Sequence, residues 1–437
     1  MLCTDKLHSD SNRSIRGPRG EINLLCSGLY LFGGAVAGQA MLTLFYFLVL
    51  EQIFQGLYNL WDGLAWLRLA QRRASGHSGF YAPRVALICP VKGAEPGLEQ
   101  NISSLISFDY PDYEIFFTMA SADDPARKII ERVTAASKRK INVVVAGRPK
   151  DCGEKVSNLI AAVQKAGSGF DVYAFADSDG RPGRQWLSRL VAPLEDPNLG
   201  AVTGFRWLFP QTGGFWSALA SAWNAPAATY LGEHARNFCW GGGTAVRRER
   251  FEQSNALEFW RGSVSDDFSL THALRQCGLP ILFAPECMVP TMFDCDAAGL
   301  LEFTNRQIII TRVYEPRLWA LGGLAHALYC GAVLTGVGLF IRNTLTGFSA
   351  IHILMLALAP PLLSMGRGVL RLTAIMELLP DWKTKLLADG WIWTFLAAIA
   401  PFLALWNSFV ALIFRKIRWR GIRYELVSPG QTNILNR

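Results

Sequence analysis

The chain has 437 residues, of which 51% are hydrophobic and 18% charged, and its net charge is +8. A chain this apolar can bury enough surface to offset its ordering entropy, which excludes disordered and fibrous classes. The mild positive excess forms no basic stripe on a folded domain, so nucleic acid is not an expected partner.

Residues 22–50, 318–341, 343–366 and 390–414 contain no Asp, Glu, Lys or Arg. Each run reaches the ~20 apolar residues that a bilayer core requires, so the expected class is an integral membrane protein with a large polar middle. The expected organisation is a polar segment 1–21, an anchor with an interfacial continuation over 22–73 and a polar domain over 80–300. An interfacial segment 301–317, apolar spans or re-entrant helices over 318–414 and a basic tail 415–437 follow. The first run is too long for a signal-peptide core, and Glu51-Gln52-Ile53-Phe54 rather than a small-residue cleavage site follows it. It reads as a retained anchor. Arg68, Arg72 and Arg73 follow the first run, and Arg415, Lys416, Arg418, Arg420 and Arg423 follow the last. They read as contacts to anionic headgroups. Nine cysteines without a CxxC pair argue against a disulfide framework or a zinc site and fit a reducing compartment.

Within the polar domain, short apolar runs alternate with helical stretches. Strands are expected at Val85–Cys89, Glu114–Met119, Ile141–Ala146, Val172–Ala176, Ala201–Phe205 and Ile281–Ala284, with helices near 126–138 and 154–166. Continuous apolar strands buried on both faces predict an α/β fold with a mostly parallel, Rossmann-like sheet. Ligands on such sheets collect at the carboxyl ends of strands. Polar segments stand there: Pro90-Val91-Lys92-Gly93, Asp123-Asp124-Pro125 and Asp177-Ser178-Asp179-Gly180.

The turn at Asp177-Ser178-Asp179 brings two carboxylates toward one point. Such hard oxygen donors suit Mg²⁺ or Mn²⁺ bridging a diphosphate, and a solvated turn also fits. Asp266-Asp267 opens an apolar helical stretch, where either helix capping or a general base fits. Gly241-Gly242-Gly243 permits close backbone approach. Phe215, Trp216 and Trp223 lie in an apolar stretch of the polar domain, where an acceptor-lining face and core packing are both open readings.

Together these features resemble the ceramide glucosyltransferase family of membrane-bound, inverting, family-2 glycosyltransferases. The resemblance covers about residues 22–425. Its motifs are Pro90-Val91-Lys92-Gly93, Phe108-Asp109-Tyr110-Pro111-Asp112-Tyr113-Glu114, Asp123-Asp124-Pro125-Ala126, Lys155-Val156-Ser157-Asn158-Leu159, Asp177-Ser178 and Ser265-Asp266-Asp267-Phe268. The tail Trp419-Arg420-Gly421-Ile422-Arg423-Tyr424 also matches. The resemblance implies a GT-A catalytic domain, with transmembrane helices at both ends, that uses a UDP-sugar and a lipid acceptor at the cytoplasmic membrane face. Pro90, Lys92, Glu95, Asp124, Lys155 and Asp177 would bind the nucleotide sugar, with Asp177 and Asp179 on a divalent metal. Asp267 would be the general base, with Asp266 beside it. Trp216, Trp223, His234, Trp240, Arg306 and Arg312 would form the acceptor region. The family's closing Arg/Gln-x-x-Arg-Trp motif is only half present. Arg306-Gln307-Ile308-Ile309-Ile310 keeps the leading Arg, and Arg312 is the candidate replacement for the second cation. The expected product is a glycolipid, a glucosylated ceramide-like lipid; a polysaccharide from a processive synthase, or another lipid acceptor such as a hopanoid or diacylglycerol, is the alternative.

Overall fold

The computed structural model describes residues 19–74 and 81–436. The expectations for residues 1–18 and most of the 74–79 linker lie outside the described residues. The polar domain carries β1 (Val85–Pro90), β2 (Tyr113–Met119), β3 (Ile141–Val145), β4 (Val172–Ala176), β5 (Ala201–Thr203), β6 (Arg206–Phe209), β7 (Gly243–Arg247), β8 (Ile281–Phe283) and β9 (Val289–Met292). Seven of these form one sheet in the order β3-β2-β1-β4-β7-β5-β8. β3, β2, β1 and β4 are parallel to one another, and β7 is antiparallel to both β4 and β5. β6 and β9 form a separate parallel pair.

The strand period explains why these segments read as continuous apolar runs. In β1, Val85, Leu87 and Cys89 enter the core on one face, and Ala86 and Ile88 enter the core on the other. β4 repeats the pattern with Val172, Ala174 and Ala176 against Tyr173 and Phe175. Helices Leu98–Ile106 and Trp186–Val191 cover the first face, and helix Glu154–Ala166 covers the second. A strand covered on both sides has no polar face to show.

Helices Gly38–Arg73 (the described part of a helix that starts at Arg19), Pro316–Leu345 and Ile351–Leu378 are long and apolar enough to cross a membrane. The first runs unbroken through residues 51–70. Pro360 and Pro361 sit inside the Ile351–Leu378 helix, which continues through them. The break falls in the last apolar run, where Gly390–Ala398 and Ala400–Ile413 meet at 60°. Both ends of this bent run lie against the polar domain. At its start, Trp393 Nε1 donates to Ser221 Oγ at 2.8 Å and packs on Trp207. At its end, the chain enters β10 (Lys416–Trp419), β11 (Ile422–Ser428) and β12 (Gln431–Asn436), an antiparallel sheet. The basic tail is therefore folded. Ile417, Ile422, Tyr424 and Leu426 share a core with Val264, Ile309 and Tyr314. The two helices after the domain form an out-and-back pair, and the tail returns to the side of the domain.

Candidate active site

The end of β4 delivers Asp177, and three other segments converge on it. Lys155 stands in the first turn of the Glu154–Ala166 helix. That helix start is fixed because Gly153 N donates to Ser263 O at 2.8 Å, and a Cβ on Gly153 would lie only 3.0 Å from the Val264 side chain. Asp266 opens the Asp266–Gln276 helix. The loop before it is clamped by Tyr314 Oη, which lies 2.8 Å from Ser263 Oγ and accepts from Val264 N at 3.0 Å. Lys155 Nζ then donates to Asp177 Oδ1 at 2.8 Å and to Asp266 Oδ2 at 3.2 Å.

The glycine triplet completes this cluster through its backbone. A Cβ on Gly241 would lie 2.0 Å from Asp266 Oδ2, and one on Gly242 would lie 2.5 Å from Asp177 Oδ2. No side chain fits either position, so the need for glycine is steric. The indole of Trp240 packs beside Gly242 and against Phe205.

Burial works against the Asp177 charge, but Lys155 outweighs it and holds the carboxyl below its usual value. Burial likewise opposes the Lys155 charge, and Asp177 and Asp266 reverse that effect and hold the ammonium above its ordinary value. Burial raises Asp266 to about 6, with Lys155 opposing and Asp267 reinforcing the shift. Burial and the Asp177 charge raise Asp179.

Three arginines surround this acidic centre. Arg206 and Arg420 act on the charges of both Asp177 and Asp179. Arg306 lies over the rings of Phe303 at 5.7 Å and Trp419 at 5.3 Å. Burial, then repulsion from Arg206, lowers it to about 10. Arg206 also lies over Phe303, at 5.4 Å. Arg420 sits at the tight β10–β11 turn with φ 49°, uncommon for a residue with a side chain, followed by Gly421 at φ 83°. It pairs with Glu95 and donates to Lys92 O at 3.3 Å. Lys92 in turn pairs with Glu154 at 2.7 Å, beside Lys155. Pro90 ends β1 immediately before this loop. Asp124 Oδ1 accepts from Gly93 N and from Ala126 N, both at 2.9 Å, tying the same loop to a helix start.

Among the described residues no three His, Cys, Asp or Glu side chains converge as a metal-ligand set. Asp179 has no hydrogen-bond or ion-pair partner among the described residues. Two neighbouring carboxylates, one of them unpartnered, fit a divalent cation.

The profile of glycosyl transferase family 21 matches residues 44–432. The chain belongs to glycosyl transferase family 21. Ceramide glucosyltransferase 3 of Caenorhabditis elegans is 20% identical over 365 residues, covering 80% of this chain and 74% of that protein. Ceramide glucosyltransferase 1 of the same organism is 22% identical over 371 residues, covering 80% and 73%. Among solved structures, the mannosyltransferase PcManGT from Pyrobaculum calidifontis, in complex with GDP-Man and Mn²⁺, aligns at 17% identity. That alignment covers 82% of this chain and 99% of that one with a TM-score of 0.40.

In this family 21 glycosyltransferase, Asp267 borders the acidic centre, and other sequence-predicted residues stand apart from it. Asp267 is half-buried beside Asp266. Its Oδ1 accepts from Phe268 N at 2.8 Å and from Ser265 Oγ, so it caps its own helix. Arg312 donates to Ala411 O and lies 5.5 Å over Trp319, at the end of the bent apolar run. It is not among the cations around Asp177; Arg206 and Arg420 stand there. His234 is exposed, and its Nδ1 accepts from Arg236 N at 3.2 Å. Trp223 packs behind Phe303 at 5.9 Å, which makes it part of the support under the arginines. Phe215 and Trp216 form an exposed aromatic pair, 48% and 43% accessible, at the start of the Phe215–Ala228 helix. Sequence reasoning missed Arg206. An isolated arginine after a strand carries no local signal, and only the tertiary fold brings it to the carboxylates.

Proposed function

We propose that this enzyme transfers one sugar, glucose by analogy with the named relatives, from a UDP-sugar to a hydroxyl of a membrane lipid, ceramide or ceramide-like, with inversion. The observation that carries this reading is the Asp177–Lys155–Asp266 cluster. It lies at the carboxyl end of a parallel strand, ringed by arginines, in a domain flanked by helices long and apolar enough to cross a membrane. A Mg²⁺ or Mn²⁺ ion held by Asp177 and Asp179, when bound, would neutralise the departing diphosphate. Lys155, Arg206 and Arg420 add fixed positive charge where that charge develops. Asp266 holds Lys155 in place. Asp267 takes the proton from the acceptor hydroxyl as its oxygen attacks the anomeric carbon. Displacement in one step inverts that carbon, by analogy with inverting hydrolases. Arg68, Arg72 and the tail arginines lie at the domain ends of the apolar runs, and the positive-inside rule supports a domain that faces the cytoplasm.

UDP release from a UDP-sugar, measured with and without ceramide in mixed micelles, tests this reading. Acceptor-dependent release supports it. Release that is independent of every lipid offered, with a sugar polymer as product, contradicts it in favour of a processive synthase.

The Arg420 side chain gives a sharper expectation. Replacing it in Arg420→Gln should raise KM for the UDP-sugar about tenfold, the scale of one lost charge-assisted hydrogen bond. Thermal stability should change little, because the residue is at a hairpin tip. An unchanged KM would reduce Arg420 to a latch between the tail and Glu95. For the acceptor side, Trp216→Ala should raise the apparent KM for lipid more than that for UDP-sugar, since Trp216 is exposed. Equal effects on both, with lowered thermal stability, would assign it to packing.

A further inference from the structure

We propose that Arg367 and Arg371 form a binding site for the phosphate of an anionic phospholipid headgroup. Both lie on the Ile351–Leu378 helix, one turn apart, where it meets the first helix and the catalytic domain. Arg371 is only 5% exposed, and its Nε is buried without a partner among the described residues. Arg367 Nη2 donates to Asp62 Oδ2 at 3.0 Å and reaches Thr229 Oγ1 at 3.5 Å, while its Nε is also buried and unpartnered. One carboxylate against two guanidinium groups leaves a positive charge uncompensated. A buried charge is unfavourable unless it is paired and hydrogen-bonded, so this geometry calls for an anion. Guanidinium groups match phosphate oxygens in a planar, two-pronged way.

The level in the membrane selects a lipid source. Tyr58 and Trp61 are 58% and 63% exposed, and their rings lie 5.8 Å apart on the first helix. Exposed Tyr and Trp mark the headgroup zone of a bilayer. Asp62, which pairs with Arg367, is the next residue. The two arginines therefore sit at headgroup depth, and Tyr230 of the catalytic domain is within electrostatic range of Arg371. Among the described residues no hydrogen bond or ion pair joins either arginine to Lys155, Asp177 or Asp266. A neutral hydroxylated acceptor would leave the charge unanswered, which separates this site from the acceptor site.

The test uses the full chain in nanodiscs of phosphatidylcholine, with and without phosphatidylglycerol. Native mass spectrometry counts retained phosphatidylglycerol, and a thermal melt follows stability. The wild type should retain phosphatidylglycerol and melt at a higher temperature in its presence. Arg371→Gln should retain about tenfold less, the scale of lost charge-assisted hydrogen bonds, and lose the thermal shift. Arg367→Gln gives the same reading with a milder loss if Arg371→Gln does not fold. Inorganic phosphate added to phosphatidylcholine nanodiscs should give no comparable shift. Equal retention by the wild type and the folded variants overturns the proposal. So does the absence of retention by the wild type, or stabilisation by inorganic phosphate as large as that by phosphatidylglycerol.

Discussion

Asp177→Asn is expected to lower turnover on the order of 10³-fold or more, comparable to losing a preorganised electrostatic group at a reacting centre. The substitution keeps the shape of the side chain, which matters because Gly242 packs closely against it. It removes the anion that holds Lys155 at 2.8 Å and one of the two carboxylates proposed for the cation. Lys155 would then have only Asp266, itself raised to about 6, as an anionic partner. Nucleotide-sugar affinity should fall with turnover, because both the cation and the lysine face the diphosphate in this account. Titration calorimetry with UDP and Mn²⁺ reads the affinity directly. Full turnover by the wild type in excess chelator would remove the cation from the account, and wild-type affinity in Asp177→Asn would remove Asp177 from the diphosphate site.

The second large effect is at the adjacent acids. Asp267→Asn should lower kcat by about 10²–10⁴-fold, the usual scale for losing general-base assistance, while UDP-sugar binding is kept. Asp266→Asn should act differently, because Asp266 Oδ2 is engaged with Lys155 and Asp267 has only one oxygen engaged in capping. Its loss should weaken nucleotide binding and alter the pH profile. Asp266 takes up a proton as pH falls through about 6, so the wild type should lose kcat/KM on that acidic limb. Asp266→Asn, lacking the proton-binding group, should show a flatter profile there. If Asp266→Asn instead abolished turnover with binding intact, and Asp267→Asn weakened binding, the two roles would be exchanged.

The parallel half of the sheet was legible because burial on both faces leaves unbroken apolar runs, as in Val85–Cys89 and Val172–Ala176. Asp177 was legible because it directly follows such a run. β6, β7 and β9 were not. β7 begins in the glycine triplet, which reads as a turn, although Gly243 pairs with Ala176 in the centre of the sheet. The tail misled for a physical reason: its basic residues alternate with Ile417, Ile422, Tyr424 and Leu426, and that alternation is a half-buried strand pattern. Read for charge alone, it suggests headgroup contact. Read for period, it predicts the sheet that carries Arg420 to the site. The topology also turned on long-range contacts, since the hydrogen bond of Trp393 to Ser221 and its packing on Trp207 show that the last apolar run begins at the catalytic domain.

Mass spectrometry of the lipid fraction, after incubating the purified full chain with ceramide and a panel of UDP-sugars, tests the central claim most directly. The account predicts a ceramide carrying a single hexose, formed with UDP-glucose, and no such product from Asp177→Asn. A lipid fraction unchanged by every UDP-sugar, or a polymer of many sugar units, would contradict it.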